Sequence, residues 1–236
     1  MDAAGVANRR GQLAPETIAP GFEPVFEAVK WGAALGDSYH DMLLMDWTVF
    51  QAGLHAEEDG FAAVVVDTVS DSGVRALRSR LSIPVIGPGE AAFHMAMMLG
   101  KRFTILTMWP EWFPLYEKTL TDYHLHDRCA SLRSINTRPD VTELLAGKED
   151  VIFAKLEAEA RAAIDQDGAD VIVLGSTTMH QSAAHLAKLL PIPVINPGVV
   201  AWKQAELLVT LGLSHSKRAF PSPEVPKDAD ITKGWT

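Results

Sequence analysis

The chain has 236 residues, 47% of them apolar, a formal net charge of −9 and one cysteine. Such a chain can bury a full core without staples. The lone Cys129 excludes an intrachain disulfide and any multi-cysteine zinc or iron–sulfur centre, and an acidic chain with no Lys/Arg-rich run points to small-molecule partners rather than nucleic acid or an anionic membrane surface.

No apolar core follows Arg9 and Arg10, and no stretch approaches the roughly 18 apolar residues of a membrane span, so a cytoplasmic protein is expected. Residues 1–24 have no periodicity and read as an arm or loop. Residues 25–31 alternate as a strand would, and Asp37 and Ser38 are good N-caps for a helix reaching about residue 58. A strand at 62–67 is followed by a helix from the Ser70-Asp71-Ser72-Gly73 turn to about 81, a short buried strand at 83–86 and a Met-rich helix at 89–99. The second half repeats the alternation. Strands are predicted at 102–108, 130–136, 170–174 and 193–196, and helices at 114–123, 148–166, 179–190 and 199–211. The tail from Ser214, with three prolines, reads as irregular.

Two blocks recur. Ile83-Pro84-Val85-Ile86-Gly87-Pro88-Gly89 matches Ile192-Pro193-Val194-Ile195-Asn196-Pro197-Gly198, an offset of 109 residues (83 to 192), and Gly60 and Gly168 are 108 apart (60 to 168). Each of these glycines precedes an apolar run that ends in hydroxyls, at Thr68 in one case and Ser176 in the other. The chain therefore reads as a duplicated α/β half with parallel sheets, the halves facing each other about a pseudo-two-fold axis. The expected division is an irregular arm (1–24), a first half (25–100), a second half (101–213) whose last helix packs back on the first, and an irregular tail (214–236).

In open α/β sheets, ligands bind beyond the carboxyl ends of the strands. The two turns pass from strand end to helix N-terminus, where unpaired N–H groups and the helix dipole favour an anion. Thr68, Val69 and Ser70 on one side and Ser176, Thr177 and Thr178 on the other thus form two opposed cradles for carboxylate or carbonyl oxygens, with Thr68 and Ser176 expected across one cleft. Asp71 and His180, each in a first helical turn, are candidates for acid and base, or else a helix cap and a packed surface imidazole. The pairs His124/His126 and His180/His185 lack the spacing and third ligand of a metal site, so no metal is expected. Trp109, Trp112 and Phe113 form an aromatic loop suited to a lid, a substrate wall or a dimer contact. Met95, Met97 and Met98 suit core or a subunit interface.

Taken together, Asp71-x-Gly73, residues 83–92, Leu99-Gly100-Lys101-Arg102-Phe103, residues 128–133, residues 167–175 and Leu211-Gly212-Leu213-Ser214-His215-Ser216-Lys217 resemble the aspartate/glutamate/hydantoin racemase superfamily, most closely its hydantoin and allantoin racemase branch. The resemblance runs from about Val25 to Lys217. It implies two flavodoxin-like halves, no cofactor, a homo-oligomer, and a small carboxylate, amino acid or cyclic amide held between the turns. It also implies that Thr107 lines the cleft and that Glu90 opens a helix beside it. In racemases of this family a cysteine stands in each turn, one thiolate removing the α-proton and the other thiol returning one. Here those positions are Thr68 and Ser176. An alcohol is essentially never ionised at neutral pH, whereas a few per cent of a thiol with a pKa of about 8.5 is. Two-thiol racemisation is therefore not expected. An isomerase, lyase or hydrolase using the oxyanion cradles is the first reading, and a catalytically silent binding protein the second. The family also opens with a central strand ending in a polar turn, which nothing before Pro24 resembles, so the chain as given is expected to begin after that strand.

Overall fold

The computed structural model describes residues 3–139 and 149–228. Helices and parallel strands alternate. After α1 (Ala3–Arg10) and a short 3₁₀ turn come α2 (Tyr39–Gly53), β1 (Val64–Val65), α3 (Val74–Arg80), β2 (Val85–Ile86) and α4 (Pro88–Leu99). Then follow β3 (Phe103–Thr107), α5 (Phe113–Tyr123), β4 (Cys129–Ser134), α6 (Glu149–Asp165), β5 (Val171–Leu174), α7 (His180–Leu189), β6 (Val194–Ile195) and α8 (Pro197–Thr210). Strands β1 and β2 form one parallel pair, and the other four make a parallel sheet in the order β4-β3-β5-β6.

The strands are continuous apolar runs because helices cover both faces of the larger sheet. Every residue of β3 and β5 is fully buried. One face packs on α6 and α7 through Leu156, Ala160, Ala183 and Leu186, and the other on α4 and α5 through Phe93, Ala96, Tyr116 and Leu120. Phe93 stacks on Phe103 with ring centroids 5.3 Å apart. Helix α8 leaves the larger sheet and packs on the smaller one, where Ala201 and Ala205 meet Ile86 and Ala91. Small side chains allow that close helix contact.

The recurring blocks occupy matching positions. Val85 and Ile86 pair with Val64 and Val65, and Val194 and Ile195 pair with Ile172 and Val173. Gly60 and Gly168 both adopt positive φ, +85° and +71°.

Two expectations fail. Residues 25–31 contain no strand: they run as coil with Val25 63% exposed. Alternation marks a chain that could lie on a sheet edge, but a strand also needs a neighbour to pair with. Residues 3–10 form a helix rather than an irregular arm. Its Ala-rich start and the Arg9-Arg10 pair in its last turn suit a helix, but it is too short to display a period. Of the other predicted elements, the boundaries shift by a few residues at most, except that α2 stops at Gly53 rather than near 58 and β1 keeps only two of six residues. The predicted first residue of α6, Lys148, and the end of the tail beyond 228 lie outside the described residues.

The described tail is tied to α3. Lys217 Nζ donates to the carbonyls of Arg78, Ser79 and Leu81 at 2.8, 3.0 and 2.6 Å, and Ser214 Oγ donates to Ser82 O at 2.6 Å. Among the described residues no helix is long and apolar enough to cross a membrane.

Candidate functional site

The turns after β1 and β5 end in one cavity of about 1060 Å³, whose lining includes Asp67, Thr68, Val69 and Ser70 from one turn and Ser176, Thr177 and Thr178 from the other. They also touch: Thr177 Oγ1 donates to Asp67 O at 3.3 Å. Within the second turn, Ser176 Oγ accepts from Thr178 N at 3.3 Å and lies 2.7 Å from Thr178 Oγ1. Within the first, Thr68 Oγ1 accepts from Ser72 N at 3.3 Å and Ser70 Oγ lies 2.9 Å from Ser72 Oγ. The main-chain N–H groups of Val69, Ser70, Ser176 and Thr177 have no acceptor among the described residues. Val69, Ser70 and Thr177 are buried and Ser176 partly so, and buried donors are rarely left unpaired, so the two turns can receive oxygen ligands.

The second turn is held rigid from behind. Tyr116 Oη donates to Gly175 O and lies 2.8 Å from Thr107 Oγ1. A Cβ on Gly175 would come within 2.6 Å of that hydroxyl, so the approach requires glycine. Burial pushes the Tyr116 phenol well above its ordinary pKa, keeping it a neutral donor. Thr107 is thus fully buried beneath Tyr116 and does not line the cavity.

Asp71 and His180 are also outside the lining. Asp71, at φ +52°, turns its carboxylate onto the start of α4, accepting from Gly89 N and Glu90 N at 2.7 Å each and from Tyr123 Oη at 3.1 Å. Gly87 admits it: a Cβ there would lie 2.4 Å from Oδ1. Burial pushes the Asp71 pKa up to about 7 against the pull of those donors. His180 is half-buried under α1, its Cε1 3.4 Å from where a Gly11 Cβ would sit, and burial lowers its pKa. Glu90 pairs with Arg78, away from the cavity. Both ends of the expected acid–base pair are therefore engaged in packing.

Sequence reasoning missed three residues. Arg9 comes down from α1 between the turns, donating from Nη1 to Asp67 O at 3.1 Å, to Asp67 Oδ2 at 3.0 Å and to Thr177 Oγ1. Gln12, itself buried, donates from Nε2 to both Asp67 carboxylate oxygens at 3.3 and 3.4 Å. Asp67 was legible as the polar end of its strand. Nothing local marks Arg9 or Gln12, since their meaning comes from a contact across more than fifty residues.

The remaining wall is mixed: Met45, Val49, Leu77, Met108 and Trp112 are apolar, and Glu23, Glu27 and Glu206 bring carboxylates to it. Trp112 Nε1 donates to Leu35 O at 2.8 Å, joining the aromatic loop to the 32–36 turn, and Trp109 meets Trp112 edge-on at 6.4 Å. On α8, Glu206 accepts from Ala19 N, Trp202 Nε1 and Lys203 Nζ at 2.8, 2.6 and 2.7 Å. Burial works to raise its pKa, and these three donors outweigh it and bring it below the ordinary value. Cys129 opens β4 outside the cavity lining, and burial pushes its thiol up to about 11. Among the described residues no three His, Cys, Asp or Glu side chains gather where they could hold a metal ion. His126 faces Glu117 and Thr121, and His185 stacks on Phe153 at 4.6 Å.

Residues 12–205 match the Asp/Glu/hydantoin racemase family. A hydantoin racemase from Pseudomonas sp. (strain NS671) is 32% identical over 196 residues, covering 83% of this chain and 78% of that protein. Among solved structures, allantoin racemase from Klebsiella pneumoniae is similar at a TM-score of 0.87 and 31% identity, covering 96% of this chain and 91% of that one. Allantoin racemase from Pseudomonas fluorescens gives 0.86 and 30%, with 95% and 94% covered.

Proposed function

The chain belongs to the Asp/Glu/hydantoin racemase family, and from that premise we propose a cofactor-independent enzyme that acts on a small carboxylate or amide between the 67–70 and 175–178 turns, without a pair of thiols. Membership favours an isomerase-like enzyme over a silent binding protein. The observation that carries the reading is the shared cavity with its four unaccepted main-chain N–H groups. Donors fixed before the reaction stabilise a developing enolate or tetrahedral oxyanion at no cost of reorganisation. Thr68 and Ser176 stand on opposite turns, where the family's cysteines would flank the substrate. Their hydroxyls serve as hydrogen-bond partners and proton carriers rather than as ionised bases. With Asp71 and His180 packed elsewhere and both Asp67 carboxylate oxygens held by Arg9 and Gln12, the two cradles carry the isomerase, lyase or hydrolase chemistry of this reading.

Two similar halves about a pseudo-two-fold axis belong to the same proposal, supported by the matched registers of β1/β2 and β5/β6 and by α4 packing on α8. The α-proton provides the test. Incubated with amino acids or hydantoins in deuterated water, the natural protein is expected to exchange it no faster than background. Thr68→Cys with Ser176→Cys is expected to restore exchange, with each single variant at least ~10-fold slower than the double because acid and base act as a unit. Rapid exchange by the natural protein that survives Thr68→Ala and Ser176→Ala would sink this reading.

A further inference from the structure

We infer that Arg9 makes this site selective for a carboxylate-bearing substrate, a ring-opened acid rather than its neutral cyclic amide. The inference rests on the cleft assignment above and adds to it the chemical class of the ligand. Arg9 descends from α1 into the gap between the turns, and its side chain is only 15% exposed. Among the described residues its bonds are made by Nη1, which reaches the Asp67 carbonyl, the Asp67 carboxylate and the Thr177 hydroxyl. Nε and Nη2 have no acceptor among the described residues, and Arg9 lines the cavity.

A guanidinium recognises a carboxylate through paired, parallel N–H groups, and Nε with Nη2 is such a pair. The rest of the cradle has the same polarity. The N–H groups of Val69, Ser70, Ser176 and Thr177 are donors with no acceptor among the described residues. Of the carboxylates lining the cavity, Asp67, Glu23, Glu27 and Glu206, Asp67 meets the guanidinium, and its oxygens are already held by Arg9 and Gln12. Asp67 thereby orients the guanidinium while leaving its outer edge open. A neutral cyclic imide offers that pair a single uncharged carbonyl oxygen to share. A carboxylate offers two oxygens and a full charge to groups that can only donate.

The test uses two probes of nearly the same atoms, N-carbamoylglycine, an anion at neutral pH, and hydantoin, its neutral ring-closed counterpart, measured by isothermal titration calorimetry on the full chain. The natural protein is expected to bind N-carbamoylglycine at least ~10-fold more tightly than hydantoin. Arg9→Gln is expected to bring the two within ~2-fold of each other, Arg9→Lys to keep an intermediate preference, and Arg10→Gln, on the exposed neighbour, to change nothing. Retained hydantoin binding by Arg9→Gln reports that this variant is folded. Ser176→Leu, which fills the cleft, is expected to abolish both. Loss of both in Ser176→Leu with an unchanged preference in Arg9→Gln overturns the role of Arg9 and leaves the cleft assignment standing. Undiminished binding in Ser176→Leu overturns the cleft assignment itself. Equal or tighter binding of hydantoin by the natural protein, or binding of neither probe, overturns carboxylate selectivity.

Discussion

Asp71 illustrates how one side chain can look catalytic and serve architecture. It sits three residues past Thr68 at a helix start, where an acid is chemically plausible, yet its carboxylate is spent on two amides of α4 and on Tyr123. Because burial raises its pKa from the ordinary 3.8 to about 7, the folded state binds the proton more tightly than the unfolded chain. Its contribution to stability is therefore complete below pH 3.8 and is lost as pH rises through about 7. His180, whose pKa burial lowers, acts in the opposite sense, weakening the fold as pH falls below its unfolded value. The difference between natural protein and variant separates the two. Asp71→Asn is expected to cost about 1–3 kcal/mol near neutral pH, since one amide of α4 loses its acceptor. Its stability, followed by urea denaturation from pH 4 to 8, is expected to lack the decline that Asp71 imposes. A curve parallel to that of the natural protein would mean that Asp71 does not titrate in this window.

At the scale of elements, the strands and most helices were legible because they are written as apolar runs and periods between Gly and Pro punctuation. The misread segments are those whose state depends on what lies beside them. Residues 25–31 carry a strand's alternation with no partner to pair, and α1 is tied to the turns by Arg9, with Gln12 just beyond its end. The 214–228 tail lacks regular structure, yet Lys217 closes three carbonyls at the end of α3. A cation there satisfies orphan acceptors and opposes the negative end of the dipole. Lys217→Met, which keeps most of the stem, is expected to cost about 0.5–2 kcal/mol in denaturant midpoint without changing ligand affinity. An unchanged midpoint would reduce Lys217 to a surface contact.

In the whole molecule, α8 belongs by sequence to the second half but packs on the sheet of the first through Ala201 and Ala205. The halves are therefore expected to unfold in one transition. Ala201, with no exposed surface, has no room for added methylenes. Ala201→Leu is expected to cost about 1–3 kcal/mol by overpacking, and the thermal transitions seen by tryptophan fluorescence and by helical circular dichroism should shift together. Separation of the two probes would mean independent halves.

By itself, the sequence determined the alternation of elements, the recurring blocks, the two hydroxyl turns and the absence of a thiol from both, because each is encoded within a few neighbouring residues. Tertiary structure alone decided which polar groups meet. It turned Asp71, His180, Thr107 and Glu90 away from the cavity and brought Arg9 and Gln12 to Asp67 across more than fifty residues. Strand and helix periods are short-range physics, whereas the direction a side chain takes at a turn is set by whatever packs against it, and that partner is distant in the chain.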